Sequence, residues 1–274
     1  MTAGWALCVL LLGGPPPSGI RWEHQFQDAL KKARVQKKPI LVDFWAEWCG
    51  WCHRLDTTTY VDTMVTKLAQ DFVAVKVNAE GSPQEVAVAQ RYDVTSLPTI
   101  IFVSPSGRQL SRVNGFQGPG RFPDTLERAR DAAARVMDLE ASLEKNPSDV
   151  MAMSALGAHL FDQEFFEEAR DLLGQAVRAD GVLAAADRRR TRMLLAIIQN
   201  YDHRYAEAES LLKDALALQP GDDEPKLLFI LGRTYLKWGR AEEARRAWEQ
   251  IVTAHGKSPM AVKAREQLAV IDRK

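Results

Sequence analysis

Residues 40–53 read Ile40-Leu41-Val42-Asp43-Phe44-Trp45-Ala46-Glu47-Trp48-Cys49-Gly50-Trp51-Cys52-His53. Pro39 opens an apolar run, Ile40 to Trp45, that is too short for a buried helix and rich in strand formers, so a strand is expected there. A helical stretch follows, and two cysteines separated by two residues stand at the junction. The start of a helix offers unpaired backbone N–H groups and the positive end of its dipole, and both favour a thiolate. Cys49, if it caps that helix, is therefore a candidate activated cysteine. Cys52, one turn later, can close a disulfide with it or resolve a mixed one.

Outward from this stretch the chain has two textures. Between residues 21 and 138, helical and strand patterns alternate. Ala29, Leu30 and Ala33 lie at helical spacing before Lys37-Lys38. Phe72 to Val77 and Thr99 to Val103 are further short apolar runs, and Pro105-Ser106-Gly107 marks a hairpin leading into Gln109–Val113. A last helix is expected from about Arg121 to Met137. This order implies an α/β layer structure with a partly parallel sheet, with Phe44 and Trp45 in its core. From about Ser142 no strand pattern appears. Apolar sets at i, i+3, i+4, i+7 recur instead: Met153, Leu156, Gly157, Leu160; Ala169, Leu172, Leu173, Ala176; Ala208, Leu211, Leu212, Ala215; Leu228, Leu231, Gly232, Tyr235; Ala244, Ala247, Trp248, Ile251. The alanines at 169, 208 and 244 are 39 and then 36 residues apart. The small residue in each set lets two helices approach closely. The expected division is a leader-like or unstructured segment at 1–20, an α/β domain at 21–138, and a helical domain at 142–274. The last holds about three helix pairs and a capping helix from Pro259 to Ile271.

The stretch from Ile40 to Gly50 resembles the active-site strand and turn of the thioredoxin family, over residues 22 to about 137. Ser96-Leu97-Pro98-Thr99 matches that family's second signature, a loop with a cis proline that faces the active site. The resemblance implies an α/β thioredoxin fold and a thiol–disulfide oxidoreductase that acts on protein disulfides or thiols. Cys49 would be the attacking cysteine, Cys52 the resolving one, and Asp43 the buried aspartate beneath the disulfide. Burial raises a carboxyl pKa, so Asp43 could accept the Cys52 proton. Leu97 and Pro98 would bind substrate backbone as an extended strand. Trp48, Gly50 and Trp51 would form the substrate rim. Gly50-Trp51 stands where Gly-Pro is commonest and His53 where Lys is usual. His53 could tune the thiolate or simply be solvated, and reductase, oxidase and isomerase stay open. No bound cofactor is implied beyond the Cys49–Cys52 disulfide, but a redox partner protein is needed to reset it.

Leu156-Gly157, Ala169, Ala176 and Leu231-Gly232, Tyr235, Ala244 resemble tetratricopeptide (TPR) repeats, whose period is about 34 residues. That resemblance implies an all-α TPR-like domain that binds a peptide or partner protein. Ser154, Ala158 and Leu194 stand where acidic-peptide-binding members of that family carry Lys and Asn, so that specificity is not implied. The domain order is similar to that of chaperedoxins, which gives an alternative, a holdase or adaptor that binds unfolding clients and protects their thiols. The stretch Gly115-Phe116-Gln117-Gly118 fits either reading. A further alternative is c-type haem attachment at Cys49-x-x-Cys52-His53.

Composition narrows the classes. Thirty-six basic residues balance 36 acidic ones in a chain of 274, which removes a global pull on nucleic acid. The four-residue group Arg188, Arg189, Arg190 and Arg192 is expected to be a solvated helix start. Three cysteines exclude a disulfide-stapled scaffold and a four-cysteine zinc site. His24, His159, His203 and His255 have no paired spacing, so no metal site is expected. No apolar run reaches the ~18 residues of a membrane span. Gly4 to Gly13 is apolar and precedes Pro15-Pro16-Pro17, which favours a signal peptide and a periplasmic or otherwise exported protein. Cys8 would then be lost from the mature chain. A cytoplasmic protein is the alternative, because no basic residue precedes Arg21.

Overall fold

The computed structural model describes residues 19–218 and 221–272. The expected leader segment and Cys8 lie outside the described residues. The chain divides into two compact units, one ending at Ala134 and one beginning at Arg135.

The first unit is an α/β structure. Its elements in order are β1 (Trp22–Glu23), α1 (Phe26–Gln36), β2 (Ile40–Trp45), α2 (Gly50–Arg54) continued by a π-helical turn (Leu55–Thr59), α3 (Thr63–Ala69), β3 (Val73–Asn78), α4 (Pro83–Arg91), β4 (Thr99–Val103), β5 (Gln109–Asn114) and α5 (Phe122–Lys145). The five strands form one sheet in the order β1-β3-β2-β4-β5. β1 and β2 run parallel to β3, whereas β4 is antiparallel to both β2 and β5. The turn between β4 and β5 closes with Gly107, whose φ of 91° suits a residue without a Cβ.

Strand side chains alternate between faces. Ile40, Val42 and Phe44 therefore share one face, where they meet Phe26, Ala29, Leu30 and Ala33 of α1. Leu41, Asp43 and Trp45 point to the other. Phe44 is buried as expected, but Trp45 is only half-buried, because it ends the strand at the edge of that second face. α4 starts with a reciprocal cap. The Ser82 hydroxyl accepts from the Glu85 N–H, the Glu85 carboxylate accepts from the Ser82 N–H, and Pro83 takes the first helical position.

α5 runs eight residues beyond its expected end at Met137. Nothing between 138 and 145 breaks a helix, and Pro147 is the first residue that would. The helix passes into the second unit at Arg135, and within that unit Leu143 packs on Val150, Met153, Ala176 and Leu183, so its last turn has a core of its own.

The second unit is all helix: α6 (Val150–Asp162), α7 (Phe166–Arg178), a 3-10 turn (Asp180–Val182), α8 (Ala185–Tyr201), α9 (Tyr205–Leu216), α10 (Glu224–Lys237), α11 (Ala241–Ala254) and α12 (Pro259–Ile271). Ala169, Ala208 and Ala244 are fully buried. At Gly157 and Gly232 the partner helix of each pair approaches too closely to leave room for a side chain. A methyl group at Gly157 would lie 2.8 Å from the Leu173 Cγ, and one at Gly232 would collide with the buried Trp248 indole. Each paired turn reverses through one left-handed residue, Glu164, His203 or Gly239, with φ of 64°, 60° and 81°. These follow the same 39- and 36-residue intervals as the alanines.

Of the arginine cluster of α8, expected to be solvated, only Arg190 is exposed. Arg189 and Arg192 are buried, Arg188 and Arg192 both bind Asp180, and Arg189 binds Asp223 at 2.8 Å. Helical geometry turns these side chains inward, where two carboxylates receive them.

Candidate functional site

Cys49 and Cys52 are joined by a disulfide, with Cα atoms 5.3 Å apart. The separation follows from the fold. β2 ends at Trp45, the Cys49 N–H bonds back to the Ala46 carbonyl, and Cys49 becomes the N-cap of α2. The Cys49 sulfur accepts from the Cys52 N–H at 3.2 Å, so it sits on a backbone donor at the positive end of the helix. Cys49 keeps 3% of its surface and Cys52 none.

Asp43 lies on β2 with its side chain fully buried. The parallel register of β2 and β3 places Lys76 directly beside it, on the same face of the sheet. The Lys76 Nζ stands 3.3 Å from Asp43 Oδ2 and also binds the Asp56 carboxylate. Asp56 is one helical turn beyond Cys52, which puts this network beneath the helix that carries the disulfide. Three aromatic rings enclose the ammonium group: Trp22 at 5.3 Å, Trp45 at 5.5 Å and Tyr60 at 5.7 Å. Burial pushes the Asp43 carboxyl up to about 6, with the Asp56 charge adding to the rise and Lys76 opposing it. Burial and the Asp43 charge hold the Tyr60 phenol well above its usual range.

Two tryptophans stand around the cysteines, 68% exposed at Trp48 and 55% at Trp51. The Trp48 indole N–H donates to Glu80 at 2.9 Å. Trp51 packs on Phe116, ring centres 5.3 Å apart, and the Arg54 guanidinium stacks 5.6 Å from both rings. Gly50 is exposed, and nothing crowds its Cα. The His53 ring bonds the Glu47 carbonyl at 2.8 Å.

The Leu97–Pro98 peptide bond is cis. The Pro98 carbonyl accepts from the Gly115 N–H at 2.8 Å, and the next residue, Phe116, is the one on Trp51. One chain of contacts thus joins the proline loop to the tryptophan rim. Leu97 is half-buried and packs on the α1 side of the sheet, while Pro98 is buried.

Lys76, Asp56 and Tyr60 were not singled out by the sequence. Lys76 carried a signal, a charged residue in the middle of the apolar strand Val73-Ala74-Val75-Lys76-Val77. Asp56 carried a weaker one, its i+4 spacing from Cys52. Tyr60 carried none. Among the described residues no cluster of three or more His, Cys, Asp or Glu could hold a metal ion, and no helix is long and apolar enough to cross a membrane.

Comparison with known proteins matches these two textures. Residues 26–130 match the family model of the thioredoxin-like domain, and residues 201–268 match that of the tetratricopeptide repeat. The thiol:disulfide interchange protein DsbD of Photorhabdus laumondii is 33% identical over 93 residues, which is 33% of this chain and 16% of that protein. Its counterpart from Vibrio vulnificus is 30% identical over 112 residues, 40% of this chain and 19% of that protein. The chain thus spans less than a fifth of the length of these curated relatives. A thioredoxin from Thermus thermophilus, 27% identical, covers 40% of this chain and 86% of its own, with a TM-score of 0.37. The chain therefore carries a thioredoxin-like domain with a disulfide-forming cysteine pair, followed by a tetratricopeptide-repeat segment.

Proposed function

We propose that the protein is a thiol–disulfide oxidoreductase acting on polypeptide substrates through a mixed disulfide. The observation that carries this reading is the Cys49–Cys52 disulfide, formed by the residue that caps α2, in the same unit as the buried Asp43 with its raised carboxyl pKa.

In the reducing direction the Cys49 thiolate attacks a substrate disulfide. A Cys49–substrate bond forms, the substrate S–S bond breaks, and one substrate thiolate leaves. Cys52 then gives its proton to the Asp43 carboxylate, directly or through a water, and its thiolate attacks the Cys49 sulfur. The Cys49–Cys52 bond forms and the second substrate thiolate is expelled. The oxidising direction runs these steps in reverse. With its carboxyl raised to about 6, Asp43 is ionised at neutral pH and is a far better match to a thiol than an ordinary carboxylate.

The exposed faces of Trp48 and Trp51 receive apolar substrate side chains. The backbone of Leu97 pairs with the substrate strand. Pro98 and Ser96 are already engaged, through Gly115 and the Thr99 hydroxyl, which holds the loop open for that pairing. The repeat segment recruits a polypeptide substrate or redox partner. An exported compartment suits the apolar Gly4–Gly13 stretch.

The test is the reduction potential of the pair, from equilibration with a thiol–disulfide buffer. A value near ~ −270 mV makes the protein a reductase, and one near about −180 to −120 mV an isomerase or oxidant. A pair that does not exchange with the buffer contradicts the proposal.

A further inference from the structure

We infer that Tyr60 is a positioning residue of this site: its hydroxyl donates to the Asp43 carboxylate and fixes which oxygen stays free to take the Cys52 proton. The inference deepens the oxidoreductase reading, on which its link to turnover rests.

The geometry leaves Tyr60 little freedom. Its side chain is buried, with the ring edge-on to Trp22 at 4.9 Å and to Phe122 at 5.8 Å. Its main-chain N–H is bonded to the Leu55 carbonyl at 2.9 Å, at the end of the π-helical turn. Lys76 ties the ring to the carboxylate: its Nζ lies 5.7 Å from the centre of the Tyr60 ring and 3.3 Å from Asp43 Oδ2, and the Asp43 and Asp56 charges both act on the phenol. Neither the hydroxyl nor either Asp43 oxygen is aligned in a formed hydrogen bond, although all three are enclosed. Two unsatisfied groups buried side by side are costly apart and complementary together, an O–H donor against a carboxylate acceptor.

Lys76 does not remove the need for this donor, because its ammonium is divided between Asp43 and Asp56. The remaining neighbours of the ring, Trp22 of β1 and Phe122 of α5, bring no charge. Tyr60 is a donor and not a base or acid, since burial keeps its proton in place. No net proton leaves it: the hydroxyl donates to Asp43 while Asp43 is charged, and turns to accept when Asp43 is protonated. A donor to the charged form favours that form.

The experiment follows the Asp43 carboxyl by carbon NMR in the oxidised full-length protein, with no turnover involved. Asp43→Asn identifies the signal. In the unaltered protein the midpoint is expected near 6. Tyr60→Phe keeps the ring contacts and removes only the donor, and the midpoint should rise by about half to one pH unit, the worth of one such hydrogen bond. An unchanged midpoint in a folded Tyr60→Phe protein overturns the inference. Should that variant fail to fold, 3-fluorotyrosine at position 60 supplies a stronger donor, and the midpoint must fall; no movement is again contrary. Disulfide turnover against pH is then compared. An acid limb that moves with the midpoint supports both assignments. A midpoint that moves while the limb stays supports Tyr60 as the donor and overturns the place given to Asp43 in the reaction.

Discussion

The two units bury very different things at comparable depth. In the thioredoxin-like unit the central strand carries Asp43 into the interior, beside a lysine it shares with Asp56 and an unaligned tyrosine. In the repeat unit the largest fully buried side chain is Trp248, seated on Gly232 with its indole N–H on the Phe229 carbonyl at 3.2 Å. The charged and amide groups buried there each reach a local partner, Arg192 binding Asp180 and the Asn200 amide donating to the Thr234 hydroxyl at 2.8 Å, while Arg192 Nε and Asn200 Oδ1 make no hydrogen bond. The contrast separates structure from chemistry. A buried group that is well matched stabilises its fold, whereas a buried carboxylate that is poorly matched is held against its preference, and such groups mark functional sites.

The largest expected effect breaks the repeat unit. Trp248→Ala removes a fully buried ring and should cost that unit about 3–5 kcal/mol, read from denaturant unfolding followed by circular dichroism. The opposite sign is expected in the other unit. Asp43 has a folded-state pKa near 6 against 3.8 as reference, so the folded protein binds its proton more tightly than the unfolded chain. Its contribution is therefore most favourable below about pH 4 and is lost as pH rises through 6. Asp43→Asn should stabilise the oxidised protein by up to about 3 kcal/mol at neutral pH and hardly at all near pH 4, while slowing disulfide turnover. A variant equally stable with wild type at both values would show that Asp43 is not held against its preference.

Gly232→Ala should cost about 1–3 kcal/mol, because the Trp248 ring has no room to yield. The smallest effects sharpen the repeat itself. Glu164 and His203 occupy the left-handed position that Gly239 fills in the last pair. Glu164→Gly and His203→Gly should each gain about 0.5–1 kcal/mol, measured by the same unfolding curves. A loss at either position would mean that its side-chain contacts outweigh backbone strain.

Much of the fold is legible along the chain because its cues are local. The bounds of β2 and β4 follow from the apolar runs Ile40–Trp45 and Thr99–Val103, and α12 from Pro259 to Ile271. β3 begins one residue later than the run at Phe72 suggests, since a short apolar run does not fix its own ends. β1 has two residues and no periodicity to detect. The cysteine pair is legible for the same local reason. Its polar support is not: Lys76 and Asp43 are 33 residues apart and meet only through strand register, and Tyr60 joins them through the turn after α2. The buried arginines of α8 mislead in the same way, because a run of like charges does not reveal the carboxylates at Asp180 and Asp223 that fold against it.

Trapping the mixed disulfide is the most direct test of the central claim. With Cys52→Ser, Cys49 should form a covalent adduct with a disulfide-containing polypeptide, released by dithiothreitol, and Cys49→Ser should form none. Adducts through Cys52 in the Cys49→Ser protein, with none through Cys49, would contradict it.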